Sequence, residues 1–249
     1  MHFFTDDDLT GAEKVYLDEG NTHHLVHVLR ADIGDMIEVS DACGRTYACT
    51  ILETEDKTAV CSVDREIELN RELSCDITLF QSIAKGEKMD WVIQKAVELG
   101  ATRIVPMITG RTIVRPDPKG ASHKVQRWSR IAESAAKQCG RAVIPEISEV
   151  TMFPEAVSQA SSCDWFIFPY ECAEGMAYSR EIFGSIQPGS TVSVMIGPEG
   201  GFEPSEVSEA KRSGAHILTL GNRILRTETA ALTALSWLVY QLEESGNIG

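Results

Sequence analysis

Three stretches of this 249-residue chain carry residue types suited to chemistry. The first is Val194-Met195-Ile196-Gly197-Pro198-Glu199-Gly200-Gly201-Phe202-Glu203. An apolar strand runs there straight into three glycines and a proline. Glycine lets backbone N–H and C=O groups approach a ligand with no Cβ in the way. The second is Ile217-Leu218-Thr219-Leu220-Gly221-Asn222-Arg223-Ile224-Leu225-Arg226, followed by Thr227-Glu228-Thr229-Ala230. It mixes aliphatics with arginines and then caps a helix. Two such strand ends describe a pocket with apolar and backbone-polar walls. The third is residues 103–141, where nine basic residues face only Asp117 and Glu133, a local net of +7. That segment suits either a polyanion or a solvated helix face.

Other motifs are weaker. There is no GxGxxG. Gly184 … Gly189-Ser190-Thr191 has P-loop glycine spacing but Ser where the phosphate-binding Lys belongs. His23 and His27 lack a third ligand, and Asp6-Asp7-Asp8 suits a solvated loop, so no metal is expected. The seven cysteines (43, 49, 61, 75, 139, 163, 172) form no CxxC pair and are odd in number. This disfavours structural zinc and a disulfide framework, and fits a reducing, cytoplasmic setting. Nothing in Met1–Asp8 looks like a signal peptide. No apolar run approaches the roughly 18 residues of a membrane span, so no membrane partner is expected.

The formal charge is −14, with pI near 4.9. Taken as a total, this argues against a nucleic-acid partner. The charge is uneven, however. Residues 1–73 hold 6 basic and 17 acidic residues; residues 74–249 hold 17 and 20. The +7 stretch therefore sits in a nearly balanced part of the chain. A hydrophobic content of 43% excludes disorder as the main state.

The elements that must position these residues fall into two patterns. Residues 1–65 predict short strands (Val15–Leu17, Met36–Ser40, Thr46–Leu52, Ala59–Val63) and one short helix through Leu29, capped by Asn21 or Thr22. A small barrel-like β domain follows from that pattern. The charged stretch Asp64–Ser74 predicts a linker, giving domains 1–73 and 74–249. From Cys75 strands and helices alternate. Strands are expected at Ile77–Ile83, Arg103–Met107, Asp164–Pro169, Thr191–Ile196 and His216–Thr219. Helices are expected at Lys88–Leu99, Ser122–Cys139, Phe153–Ala160, Pro204–Ser213 and Thr227–Glu244. This is an α/β fold with a mostly parallel sheet, whose ligands sit beyond the carboxyl ends of the strands.

The pieces IGPEGGF (196–202) and LGNRILRTETA (220–230) resemble SPOUT-class methyltransferases of the ribosomal RNA small subunit methyltransferase E family. HHLVHVLR (23–30), KMDWVIQKAVELG (88–100), Arg127-Trp128 and Gln138-Cys139-Gly140-Arg141 match as well. The resemblance covers nearly the whole chain, in order. It implies an N-terminal PUA-like β-barrel and a C-terminal trefoil-knotted α/β domain. It also implies a homodimer, and S-adenosylmethionine-dependent methylation of N3 of a uridine in 16S rRNA. The substrate would be the assembled or late-assembling small subunit. The chain departs from the family at His2, where an arginine is usual near the start, and at Cys139, where a serine is usual.

By resemblance, the loops around Phe168–Glu171, Ile196–Gly201 and Leu218–Leu225 hold the cofactor. The expected contacts are Phe168, Glu171, Ile196, Gly197, Pro198, Glu199, Gly200, Gly201, Leu218, Leu220, Gly221, Ile224, Leu225 and Thr229. Attack by N3 requires loss of its proton and stabilisation of charge spreading to O2 and O4. Arg226 or Arg141 is expected to supply this, with Glu228 orienting an arginine or accepting the proton. Glu228 also suits a plain helix N-terminal charge behind Thr227. RNA contacts are expected from Arg30, Arg111, Arg115, Lys124, Arg127, Arg130 and Lys137. At about 100° per residue, Arg127, Arg130, Lys137 and Arg141 fall within roughly 80° of one another, opposite an apolar back. Ala231, Leu235, Leu238 and Leu242 recur at helical spacing and suit either a dimer contact or the core. An RNA-binding protein with an idle knot is opposed by the intact glycine loops. A transfer-RNA enzyme is the other alternative, and the HHLVHVLR match favours rRNA over it.

Overall fold

The computed structural model describes residues 1–55, 57–68, 71–173 and 175–243. Two compact units divide the chain. One comprises Met1–Glu72 with Ala136–Val143; the other comprises Leu73–Ala135 and the chain from Ile144.

The first unit contains β1 (His2–Phe4), β2 (Lys14–Leu17), α1 (Glu19–His23), β3 (Met36–Ser40), β4 (Thr46–Thr54) and β5 (Ala59–Ile67). They form a five-stranded sheet in the order β1-β3-β4-β5-β2, antiparallel except for the β1–β3 pair. Alternate residues face inward, as in β2, where Val15 and Leu17 are buried and Lys14 and Tyr16 exposed. Phe3, Val39, Cys49, Ile51 and Cys61 share that core. Burial pushes the Cys49 thiol up to about 12 and the Cys61 thiol to about 11. Neither is a nucleophile at neutral pH.

Two expectations are corrected in this unit. The cap of α1 is Asp18, whose Oδ1 accepts from the Asn21 N–H at 2.7 Å. Asn21 and Thr22 lie inside the helix, because Thr22 Oγ1 is needed elsewhere. It donates to the Leu17 carbonyl and accepts from the Ala59 N–H. The helix continues as one π-helical segment, His24–Val28, and closes near Arg30 at φ 54°. The expected linker is partly strand, since β5 runs on through Ile67; its Leu69 and Asn70 lie outside the described residues.

The second unit alternates strand and helix: β6 (Asp76–Ser82), α2 (Lys88–Glu98), β7 (Arg103–Ile108), α3 (Pro118–Cys139, whose last turn belongs to the first unit), β8 (Glu146–Ile147), β9 (Thr151–Met152), α4 (Phe153–Ala160), β10 (Trp165–Pro169), α5 (Met176–Ser185), β11 (Thr191–Ile196), α6 (Pro204–Arg212), β12 (His216–Leu218) and α7 (Thr227–Glu243). The sheet is wholly parallel, in the order β12-β10-β11-β6-β7-β8 with β9 also on β7. Helices cover both faces, so β11 is buried at five consecutive positions instead of alternating. α3 begins four residues before the expected Ser122, because the Asp117 carboxylate accepts from the Gly120 N–H at 2.7 Å and Pro118 fits the first helical position. α5 was not expected. It contains Gly184 in its last turn, which removes the P-loop look-alike. The expected end of α7 at Glu244 lies outside the described residues. Ala231, Leu235, Leu238 and Leu242 are at most 3% exposed, so that stripe belongs to the core of the unit. Among the described residues, no helix is long and apolar enough to cross a membrane.

Candidate functional site

β10 pairs with both β11 and β12, so the loops leaving all three strands meet at one end of the sheet. They enclose a cavity of about 520 Å³. Pro169–Glu171 form one wall. Ile196–Phe202 form the second, and Thr219–Gly221 with Arg223–Thr227 the third; Lys88 of α2 and Ala230 of α7 complete it.

The second wall can follow its course only with glycine. Gly201 has φ 67°, and a Cβ there would lie 2.7 Å from Glu171 Oε1. A Cβ on Gly197 would meet the Phe202 ring at 3.0 Å. That ring cannot retreat: Phe168 lies at 4.3 Å and Phe153 at 5.9 Å between centroids. Behind the loop, Thr227 Oγ1 donates to the Gly197 carbonyl at 2.6 Å and accepts from Gln81 Nε2 at 2.9 Å. The start of α7 and the end of β6 thus hold the loop's shape. Gly197→Ala is expected to cost about 1–3 kcal/mol of overpacking. Calorimetric titration should show this as about 5- to 150-fold weaker cofactor binding. Gly184→Ala, in open space on α5, should bind as the parent does.

The wall carries charge as well as backbone. Glu199 Oε1 accepts from the Lys85 N–H at 3.1 Å and from Lys88 Nζ at 3.2 Å. Burial alone would raise the Glu199 carboxyl; these bonds, with one from its own N–H, outweigh burial and hold it below the usual range. Arg226 is exposed, lines the cavity, and has no carboxylate in salt-bridge range among the described residues. Arg111 Nη1 donates to the Gly200 carbonyl at 3.0 Å, bracing the glycine loop from outside.

A family profile described as an RNA methyltransferase domain matches residues 71–239, and one described as an RNA methyltransferase PUA domain matches residues 17–64. Ribosomal RNA small subunit methyltransferase E of Bacillus subtilis is 35% identical over 225 residues, covering 89% of this chain and 88% of that protein. The chain belongs to this family. The like-named enzyme from Neisseria gonorrhoeae, solved bound to S-adenosyl methionine, superposes with a TM-score of 0.83 at 33% identity, covering 94% of each chain. A methyltransferase from Legionella pneumophila, in complex with the same cofactor, gives 0.84 at 32%, covering 95% of this chain and 96% of that one. The α/β architecture with an N-terminal PUA domain is thereby fixed, and the chain is an RNA methyltransferase.

Of the residues expected at the cofactor, Glu171, Ile196–Gly201, Leu220, Gly221, Ile224 and Leu225 line the cavity. Phe168, Leu218 and Thr229 do not. Phe168 and Leu218 are buried strand residues, and Phe168 acts by backing Phe202; Thr229 is exposed on α7. Tyr170 and Thr219 line it too, inside the expected loops though not among the expected contacts, while Lys88, Phe202, Thr227 and Ala230 line it from outside those loops. Glu228 is not on the wall. Its Oε2 is buried, lies 3.8 Å from Lys88 Nζ and has no hydrogen-bond partner among the described residues.

Arg141 lies in the first unit and not on the cavity wall. It is off the α3 stripe too, because Gly140 at φ 73° ends the helix and turns the chain. It is 3% exposed, and its Nε reaches both oxygens of Glu72, at 2.9 and 3.2 Å. Arg115 is occupied by the carbonyls of Thr109, Gly110 and Thr112, so it holds its own loop. Lys137 donates to Asn21 Oδ1 at 2.9 Å, and Arg127 pairs with Asp90. Lys124 lies over the Trp128 ring at 5.8 Å. Val125, Trp128, Ala132, Ala135 and Ala136 form the buried back of α3, with Arg130 and Arg127 exposed opposite.

Proposed function

We propose that this chain transfers a methyl group from S-adenosylmethionine to N3 of a specific uridine in 16S rRNA. The observation that carries the reading is the glycine-bounded cavity with Arg226 on its wall, paired with no carboxylate among the described residues. When bound, the cofactor supplies an electrophilic methyl carbon on a sulfonium, so the displacement needs no metal. Gly197–Gly201 and Leu220–Gly221 would present backbone groups to it, and Ile196, Ile224 and Leu225 would give it an apolar bed. Thr227 and Gln81 keep the loop in place beforehand, which lowers the ordering cost of binding.

Uridine N3 lies on the Watson–Crick edge, so the base must be unpaired or flipped to reach the cavity. Its proton is lost to water, and Arg226 stabilises the resulting negative charge through a carbonyl oxygen of the base. Donor and acceptor must be held about 3–3.5 Å apart, which is the work of the walls. Arg130, Arg127 and Lys124 on α3 and Arg30 in the first unit are the positions offered to phosphate. Arg130→Glu should weaken rRNA binding and reduce the salt slope by about 1. An unchanged slope, measured by filter binding at several salt concentrations, would mark a merely solvated face.

The same reading includes the family's trefoil threading, a cytoplasmic setting, a homodimer and an assembled or late-assembling small subunit as substrate. Exposed Trp91 and Tyr240, on the mutually packed α2 and α7, support a partner surface. The experiment is incubation of the purified chain with methyl-labelled S-adenosylmethionine and, in parallel reactions, unmodified small subunits and unmodified transfer RNA. Label in 16S rRNA is expected; label in transfer RNA alone would favour the other target class.

A further inference from the structure

One charged group on the cavity wall has no part in the reaction described above. Lys88 opens α2 and lines the cavity. Its ammonium sits between two carboxylates, 3.2 Å from Glu199 Oε1 and 3.8 Å from Glu228 Oε2. An ammonium has three N–H donors. Among the described residues only the Glu199 contact is a hydrogen bond, so donors remain. A structural pin between α2 and the glycine loop would need Glu199 alone, and the Lys85 N–H already holds that carboxylate. It would not need Glu228, whose Oε2 is buried without a hydrogen bond. Leaving a carboxylate oxygen in that state costs stability. The cost is understandable if Glu228 holds the ammonium in place from behind.

The uracil imide spreads its negative charge onto two carbonyl oxygens, one on each side of N3. One arginine serves one side. We propose that Lys88 is a further catalytic residue, donating from its ammonium to the second carbonyl oxygen of the target uracil, with Glu228 as its positioning residue. This rests on the reading of the cavity as the site of uridine-N3 methylation. In that transfer the N3 proton goes to water. The N3 electron pair forms the new N–C bond, and the C–S bond breaks with its pair left on sulfur. Lys88 gives up no proton; it stays cationic throughout and acts by charge.

The test uses the full-length chain as parent, Lys88→Met, Lys88→Arg, Glu228→Gln and the Lys88→Met/Glu228→Gln double variant. Single-turnover rates are read at saturating cofactor and 16S rRNA substrate, and cofactor affinity is read separately by calorimetry without RNA. Lys88→Met should lose about 10²-fold in rate with cofactor affinity within about threefold, and Lys88→Arg should recover at least a tenth of the parent rate. Glu228→Gln should lose about tenfold, and the double variant should be no slower than Lys88→Met alone, since one residue acts through the other. A Lys88→Met rate within threefold of the parent overturns the proposal. So does a normal rate at saturation with lost cofactor affinity, which would place the ammonium on the cofactor. Additive losses in the double variant overturn the role given to Glu228. A parent chain that leaves N3 of 16S uridines unmethylated would instead refute the underlying reading, and it is measured first.

Discussion

Arg226→Ala is expected to lower the single-turnover rate by about 10²–10³-fold, the usual cost of removing one preorganised donor from a developing anion. Cofactor affinity should stay within about threefold. The reason is position and lack of competition. Arg226 directly precedes α7, whose first turn is fixed by Thr227 on Gly197, and no carboxylate pairs with its guanidinium among the described residues. The charge is therefore kept for whatever enters the cavity. A variant that loses cofactor binding yet turns over normally at saturation would show that Arg226 serves the cofactor instead.

Arg141→Ala is expected to fail differently. Arg141 is buried against Glu72, which also accepts the Ala142 N–H at 3.0 Å. Removing one partner of such a pair costs about 3–5 kcal/mol when the other is left buried. The Glu72 side chain is 30% exposed, so water relieves part of this and the lower end applies. A melting midpoint lower by about 6–12 °C is expected, at about 2–4 °C per kcal/mol for a chain of this size. The rate at permissive temperature should be near the parent's. Sequence leaves Arg226 and Arg141 as alternatives for one role; this pair of variants separates them. A stable Arg141→Ala with a rate reduced 100-fold would reverse the assignment.

The strands and helices that carry the site were legible where one physical signal dominates. β11 reads as a mainly apolar and β-branched run interrupted by Ser193, and α4 as a clean amphipathic turn set, and both have the expected limits. The glycine loop was legible because three glycines within five residues have few structural uses. α5 was not, since MAYSREIFGS shows no clear apolar stripe and contains a glycine. Helical periodicity carried past Gly140 puts Arg141 on the basic stripe, but the left-handed backbone of Gly140 ends the helix there. Lys88 and Thr227 gain their roles from Glu199 and Gly197, 111 and 30 residues away, and no local pattern encodes such pairings. The signals available were their places in the motifs KMDWVIQKAVELG and LGNRILRTETA. The total charge of −14 misled in a similar way. α3 offers exposed Arg130 and Arg127 over an apolar back, while acidic groups in the first unit partly neutralise its own arginine, as Asp8 and Asp41 do Arg45.

The most direct test is nucleoside mass spectrometry of 16S rRNA from the source cell with this gene deleted, then complemented. N3-methyluridine should vanish from one position in the deletion strain. The parent chain should restore it and Arg226→Ala should not. Undiminished N3-methyluridine in the deletion strain, or equal restoration by Arg226→Ala, would contradict the account.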